Sequence, residues 1–225
     1  MNGLFVPGLC CRSEIWDEAV AFLPGVDVVT LDWPWPERLR SYDDGAAWLA
    51  GEIGARRPQF VVGHSLGGVL ALHLRSRLRP RPDWALVVVD TFLVEPHPVF
   101  RNHVWLPPPG LRDRVATMLA EERPRFPILR EVAAAGDPPQ WRDQLLSAGA
   151  TYIYGGRSGE HSPASLGELA GVPAGAGHDV RVVPGTSHFP MLERPELFYA
   201  ALRDVLGIEA PGPQSWGGRR HEGRG

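Results

Sequence analysis

The stretch "VVGHSLGGVL", residues 61–70, sets a serine between glycines where one kind of pattern gives way to another. Val61 and Val62 end a short β-branched run, and Val69-Leu70-Ala71-Leu72-His73-Leu74 continues as a helix-forming stretch. A chain passing from strand to helix through Gly63-His64-Ser65-Leu66-Gly67 must turn sharply. Gly63 and Gly67 suit such a turn because a Cβ beside crowded backbone has no room. In a strand–turn–helix setting, G-x-S-x-G lifts Ser65 above the end of a sheet. The same text without chemistry would be a glycine-rich nucleotide-binding turn, yet it lacks the Lys-Ser/Thr of a phosphate loop and the spacing of a dinucleotide fingerprint. Serine attacks nothing unaided at neutral pH, so the remaining residues must supply a base, an acid to orient it and donors for an oxyanion.

Outward from this seam, short β-rich runs alternate with longer helical stretches. The strands are expected at 4–6, 26–31, 60–63, 85–90, 151–154 and 179–183, and the helices at 13–23, 41–56, 66–77 and 195–206. Ser13 stands where it can cap the first helix. That alternation predicts βα units and a mainly parallel six-stranded α/β sheet within one domain, residues 1–208. Residues 91–150, with "EPHPVF", "WLPPPG" and a helical patch at 111–122, are too long for a plain crossover and read as a cap or lid insertion. The Gly-, Pro- and Arg-rich segment 209–225 has little to pack and reads as a disordered tail.

The composition excludes several classes. In 225 residues, 44% are hydrophobic and 22% charged, enough for a full core. A net charge of −3 provides no basic footprint for nucleic acid or an anionic membrane. No apolar run is long enough to span a bilayer, and Met1-Asn2-Gly3 does not begin a signal peptide, so a cytoplasmic protein is expected. Cys10 and Cys11 are adjacent, which disfavours a disulfide between them and provides no metal-ligand pattern.

Three stretches together resemble the α/β-hydrolase family. "LFVPGLCCRSEIWDEAVAFL" is similar to its first strand, oxyanion turn and helix; "VVGHSLGGVLALHL" to its nucleophile elbow; and "VRVVPGTSHFPMLERPELFYAALRDVL" to its last strand, histidine loop and final helix. The resemblance covers about residues 3–207 and implies a shortened hydrolase fold, because two strands that usually precede the oxyanion turn are absent. Pro7 stands where the family usually has histidine before the glycine.

The order serine, acid, histidine makes His188 the expected base. His64 lies inside the elbow and His73 on the following helix, His97, His103 and His161 fall in variable loops, and His178 enters the last strand at its far end. The acid is less plain. Counting from Gly155 to the family's usual position lands on Ser158. Asp90 closes the "ALVVVD" run at the edge where the family builds its site, and Glu160 lies in the usual loop two residues late; Asp90 is preferred, Glu160 the alternative. The resemblance implies backbone N–H donors at Leu9 and Leu66 for the oxyanion. Cys10 would then lie near the pocket, as packing.

Trp33, Trp35, Phe92, Phe100 and Trp105 fall after strand ends or in the insertion. They either line an aromatic substrate pocket, Trp33, Phe92 and Trp105 foremost, or pack the cap on the sheet. The expected activity is cleavage of a small or medium carboxylic ester, lactone or thioester through an acyl-enzyme, without cofactor or metal. Alternatives are a lyase or C–C bond hydrolase using the same triad, and a noncatalytic ligand-binding member of the fold.

Overall fold

Each of the six β-rich runs forms a strand, and every pairing between them is parallel. The computed structural model of the chain describes residues 1–34, 38–93, 109–122, 124, 139–156, 167–168, 170–173 and 178–210. Along it run β1 (Asn2–Val6), a 3₁₀ turn (Ser13–Trp16), α1 (Ala19–Phe22), β2 (Asp27–Thr30), α2 (Tyr42–Arg56), β3 (Phe60–His64) and α3 (Leu66–Arg77). There follow β4 (Ala85–Val89), α4 (Pro109–Glu122), α5 (Pro139–Leu146), β5 (Thr151–Gly156), β6 (Asp179–Pro184), α6 (Pro190–Glu193) and α7 (Pro195–Leu206).

A strand points successive side chains to opposite faces, and a sheet covered on both faces must be apolar at every position. Leu86-Val87-Val88-Val89 shows this. Leu86 and Val88 join the core under α2 and α3 with Leu4, Val61, Leu70 and Tyr152. Val87 and Val89 join the opposite core with Phe5, Trp16, Phe60, Ile153 and Phe198. The strand order β2-β1-β3-β4-β5-β6 reverses between β1 and β3. At such a switch point the connections leave in opposite directions and open a crevice outside the carboxyl ends of the strands.

The expected helix at 13–23 is instead two pieces, the 3₁₀ turn and α1, and Ser13 does not cap it. Arg12 holds the cap position without a side-chain capping bond. The Ser13 N–H, one of the first-turn donors without an intrahelical partner, is satisfied by a tertiary acceptor, Asp32 Oδ1 at 2.7 Å. Ser41, by contrast, caps α2, accepting from the Asp44 N–H at 3.1 Å. The two described helices of the insertion dock on opposite sides of the sheet: α4 buries Val115 and Met118 beside Ile15 and Trp16, and α5 buries Leu145 and Leu146 beside α3. Most of the rest of the insertion, and the tail beyond residue 210, lie outside the described residues.

Candidate active site

The elbow follows from β3 and α3 meeting without a linker. Ser65 carries φ 50° and ψ −119°, a conformation that L side chains rarely adopt. Its N–H donates to Val89 O at 2.9 Å, and its own carbonyl accepts from Val69 N–H at 3.1 Å and Thr91 Oγ1 at 3.2 Å. The glycines are needed for space: a Cβ on Gly63 would lie 2.7 Å from Gly67 O, and one on Gly67 would lie 2.5 Å from Pro7 O. That second approach presses the elbow against the turn that follows β1.

His188 sits in the loop between β6 and α6, buried at 2% exposure. Glu193 shapes this loop from inside, accepting from Ser187 N–H at 3.0 Å, from the Ser187 hydroxyl and from Phe189 N–H at 3.3 Å. His64 ties the loop to the elbow: its Nε2–H donates to His188 O at 2.8 Å, and the two imidazole centroids lie 4.6 Å apart. Asp90 follows β4 at φ 46°. Its Oδ1 accepts from Gly155 N–H at 2.9 Å, which turns Oδ2 toward His188, whose Nδ1–H donates to it at 3.1 Å. A proton on Nδ1 makes Nε2 the basic nitrogen of the ring.

Electrostatics favour an uncharged ring. Burial pushes His188 down to about 3 from its usual 6.5. Burial likewise pushes His64 down to about 3, helped by the neighbouring His188. The Asp90 carboxyl is pushed up to about 7 by burial, against the pull of the Gly155 N–H. A neutral, oriented imidazole is the form a general base needs.

The structure therefore brings Ser65, His188 and Asp90 to one edge of the sheet, with Leu66 opening α3 and the Pro7-Gly8-Leu9 turn against the elbow. Glu160 lies outside the described residues, as do Trp35, Phe100, Trp105, His97, His103 and His161. Phe92 lies beside His188, 6.4 Å from its ring and 5.9 Å from that of Tyr154. Trp33 is half-buried and donates its indole N–H to Gly8 O at 2.8 Å. Asp179 starts β6, at the end of the sheet away from His188, and pairs with Arg181. His73 contacts Asp43 at 2.9 Å between α2 and α3. Sequence reasoning missed the bracing by His64 and Glu193; the carboxylate in "SHFPMLERP", placed to fold back on its own loop, was the one signal for either.

Among the described residues no group of His, Cys, Asp and Glu side chains could hold a metal ion, and no helix is long and apolar enough to cross a membrane.

A model of the alpha/beta hydrolase family matches residues 4–201. A curated protein of Haemophilus influenzae named "Putative 2-succinyl-6-hydroxy-2,4-cyclohexadiene-1-carboxylate synthase" is 31% identical over 81 residues, 32% of this chain and 33% of that protein. The chain thus spans about a third of that relative's length. Among solved structures, Est816, described as an N-acyl homoserine lactone degrading enzyme, superposes with a TM-score of 0.66 at 22% identity, covering 91% of this chain and 92% of its own. A thermophilic esterase gives 0.65 at 17% identity over 91% and 89%, and MenH from S. aureus gives 0.63 at 13% over 92% and 93%.

Proposed function

Because the chain belongs to the alpha/beta hydrolase family, we propose that it is a serine hydrolase that cleaves a small or medium carboxylic ester, lactone or thioester, with Ser65 as nucleophile, His188 as general base and Asp90 as the orienting acid. The observation that supports this reading most is the buried hydrogen bond between His188 Nδ1 and Asp90 Oδ2, made beside the serine elbow. In the proposed reaction Ser65 Oγ attacks the carbonyl carbon while its proton passes to His188 Nε2. The negative charge on the carbonyl oxygen is met by the N–H groups of Leu9 and Leu66. Collapse expels the alcohol or thiol, which takes the proton from His188 and leaves an acyl-serine. Water then repeats the sequence and releases the acid.

The match to the Haemophilus influenzae protein, named a carboxylate synthase, supports a second reading, a lyase that uses the same triad. Ser65→Ala separates the two from a site without chemistry. The variant is expected to fold, to lose labelling by a fluorophosphonate probe, and to lose p-nitrophenyl ester turnover by ~10⁴-fold or more. Wild-type protein left unlabelled by the probe, or a variant hydrolysing at near wild-type rate, would overturn the assignment.

A further inference from the structure

We propose that Trp33 is a positioning residue of the oxyanion hole, its indole N–H holding the Gly8–Leu9 peptide so that the Leu9 N–H faces the oxygen that becomes charged. The proposal rests on the serine-hydrolase reading above and adds a residue to it.

The Gly8 carbonyl and the Leu9 N–H belong to the same planar trans unit and point to opposite edges of it. The carbonyl receives two donors, Trp33 Nε1–H at 2.8 Å and Cys11 N–H at 3.0 Å, which occupy both of its lone pairs. Turning the plane would break both bonds. The Cys11 bond closes a tight turn in which Cys10 sits at φ 59°, so the direction of the peptide is also built into the backbone.

On its other side Gly8 meets the elbow. A Cβ there would lie 2.6 Å from His64 Nδ1 and 3.2 Å from Ser65 Cβ, so the peptide is held against the nucleophile at a distance that only glycine allows. A carbonyl that accepts hydrogen bonds also makes the N–H of its own peptide a stronger donor. Trp33 is braced in turn by Trp48, ring centroids 5.3 Å apart. An aromatic residue in a loop after β2 would ordinarily be read as pocket wall, but a wall has no need to donate to backbone.

Trp33→Phe keeps the aromatic bulk and removes the donor. In the full-length protein the expected result is a fall in kcat of about tenfold, smaller than the ~10²–10³-fold cost of losing a direct oxyanion donor. Affinity for a trifluoromethyl ketone, whose hemiketal oxygen fills the hole, should fall by the same factor. KM and the ranking of acyl-chain lengths should stay as in the wild type. If Trp33→Phe does not fold, 3-benzothienylalanine at position 33 removes the N–H alone. Unchanged kcat and ketone affinity overturn the proposal, as does an altered KM or chain-length ranking at unchanged kcat, which makes Trp33 a pocket wall. A wild-type protein that neither hydrolyses esters nor binds the ketone overturns the hydrolase reading and the proposal with it.

Discussion

Ser65, Asp90 and Cys10 each carry a positive φ, a strained region that costs about 1–3 kcal/mol per residue, and all three lie in loops at the carboxyl edge of the sheet. Among the described residues the only other non-glycine residue with positive φ is Arg57, which ends α2. Such strain persists where neighbours over-determine it. Ser65 N–H is held by Val89 O and Asp90 N–H by Ile153 O at 2.8 Å. For Asp90 the conformation places one carboxylate oxygen on Gly155 N–H and the other on His188. Asp90→Asn should therefore fold, yet present an amide where the ring needs an acceptor and leave the developing imidazolium uncompensated. A drop in kcat/KM of at least about a hundredfold is expected, against less than about tenfold for Glu160→Gln on the same substrate. The reverse ranking would move the acid to the loop after β5.

Among the elements, α4 shows how the insertion is held. Its inward residues Val115 and Met118 are each 3% exposed, packed beside Cys11, Ile15 and Trp16. Its outer side carries ion pairs, Glu121 and Glu122 with Arg12 and Arg114 with Asp17. Burial decides. Ion pairs with side chains this exposed contribute about 0–1 kcal/mol, whereas deleting a buried Met side chain costs about 2–5 kcal/mol. Met118→Ala should lower Tm by several degrees, and Arg12→Ala by a third of that or less; equal effects in thermal unfolding would show that charge holds the helix. Helices α3 and α7 were legible to the residue because apolar spacing and Pro195 mark them locally. The start of the 3₁₀ turn was not, since the acceptor that holds the Ser13 N–H, Asp32, lies nineteen positions away.

For the whole molecule the reversal of strand order between β1 and β3 explains where the site is. The turn after β1 and the elbow after β3 leave the sheet side by side, and β4 and the loop after β6 bring Asp90 and His188 to the same edge. Burying this cluster makes stability depend on pH. Between pH 6.5 and about 3 the unfolded chain binds protons at His64 and His188 that the native state refuses, so stability falls as pH falls. Asp90 acts oppositely. Between about 7 and 3.8 the native state binds a proton that the unfolded chain lacks, so stability rises on acidification. Two groups oppose one, and Tm should decline below pH 6.5. In Asp90→Asn, where the opposing group is gone, Tm should decline more steeply from pH 6.5 to 4.5; parallel curves for the two proteins would contradict this account.

The sequence by itself determined the six strands, the serine elbow and the placing of His188 in the loop before the last helices, because each is written in a short window by alternation, spacing or a turn that only glycine permits. It ranked Asp90 above Glu160 without deciding between them. Asp90 and His188 are 98 positions apart, and their meeting depends on the parallel pairing of β4 with β5, which puts Gly155 N–H under the carboxylate. Likewise no local pattern marks Trp33 as the donor to Gly8 O, 25 positions away, or His64 as the link to the carbonyl of His188. Hydrogen bonds between distant segments exist only once the sheet has brought the ends of its strands to one edge, so tertiary structure alone decided how the site is braced.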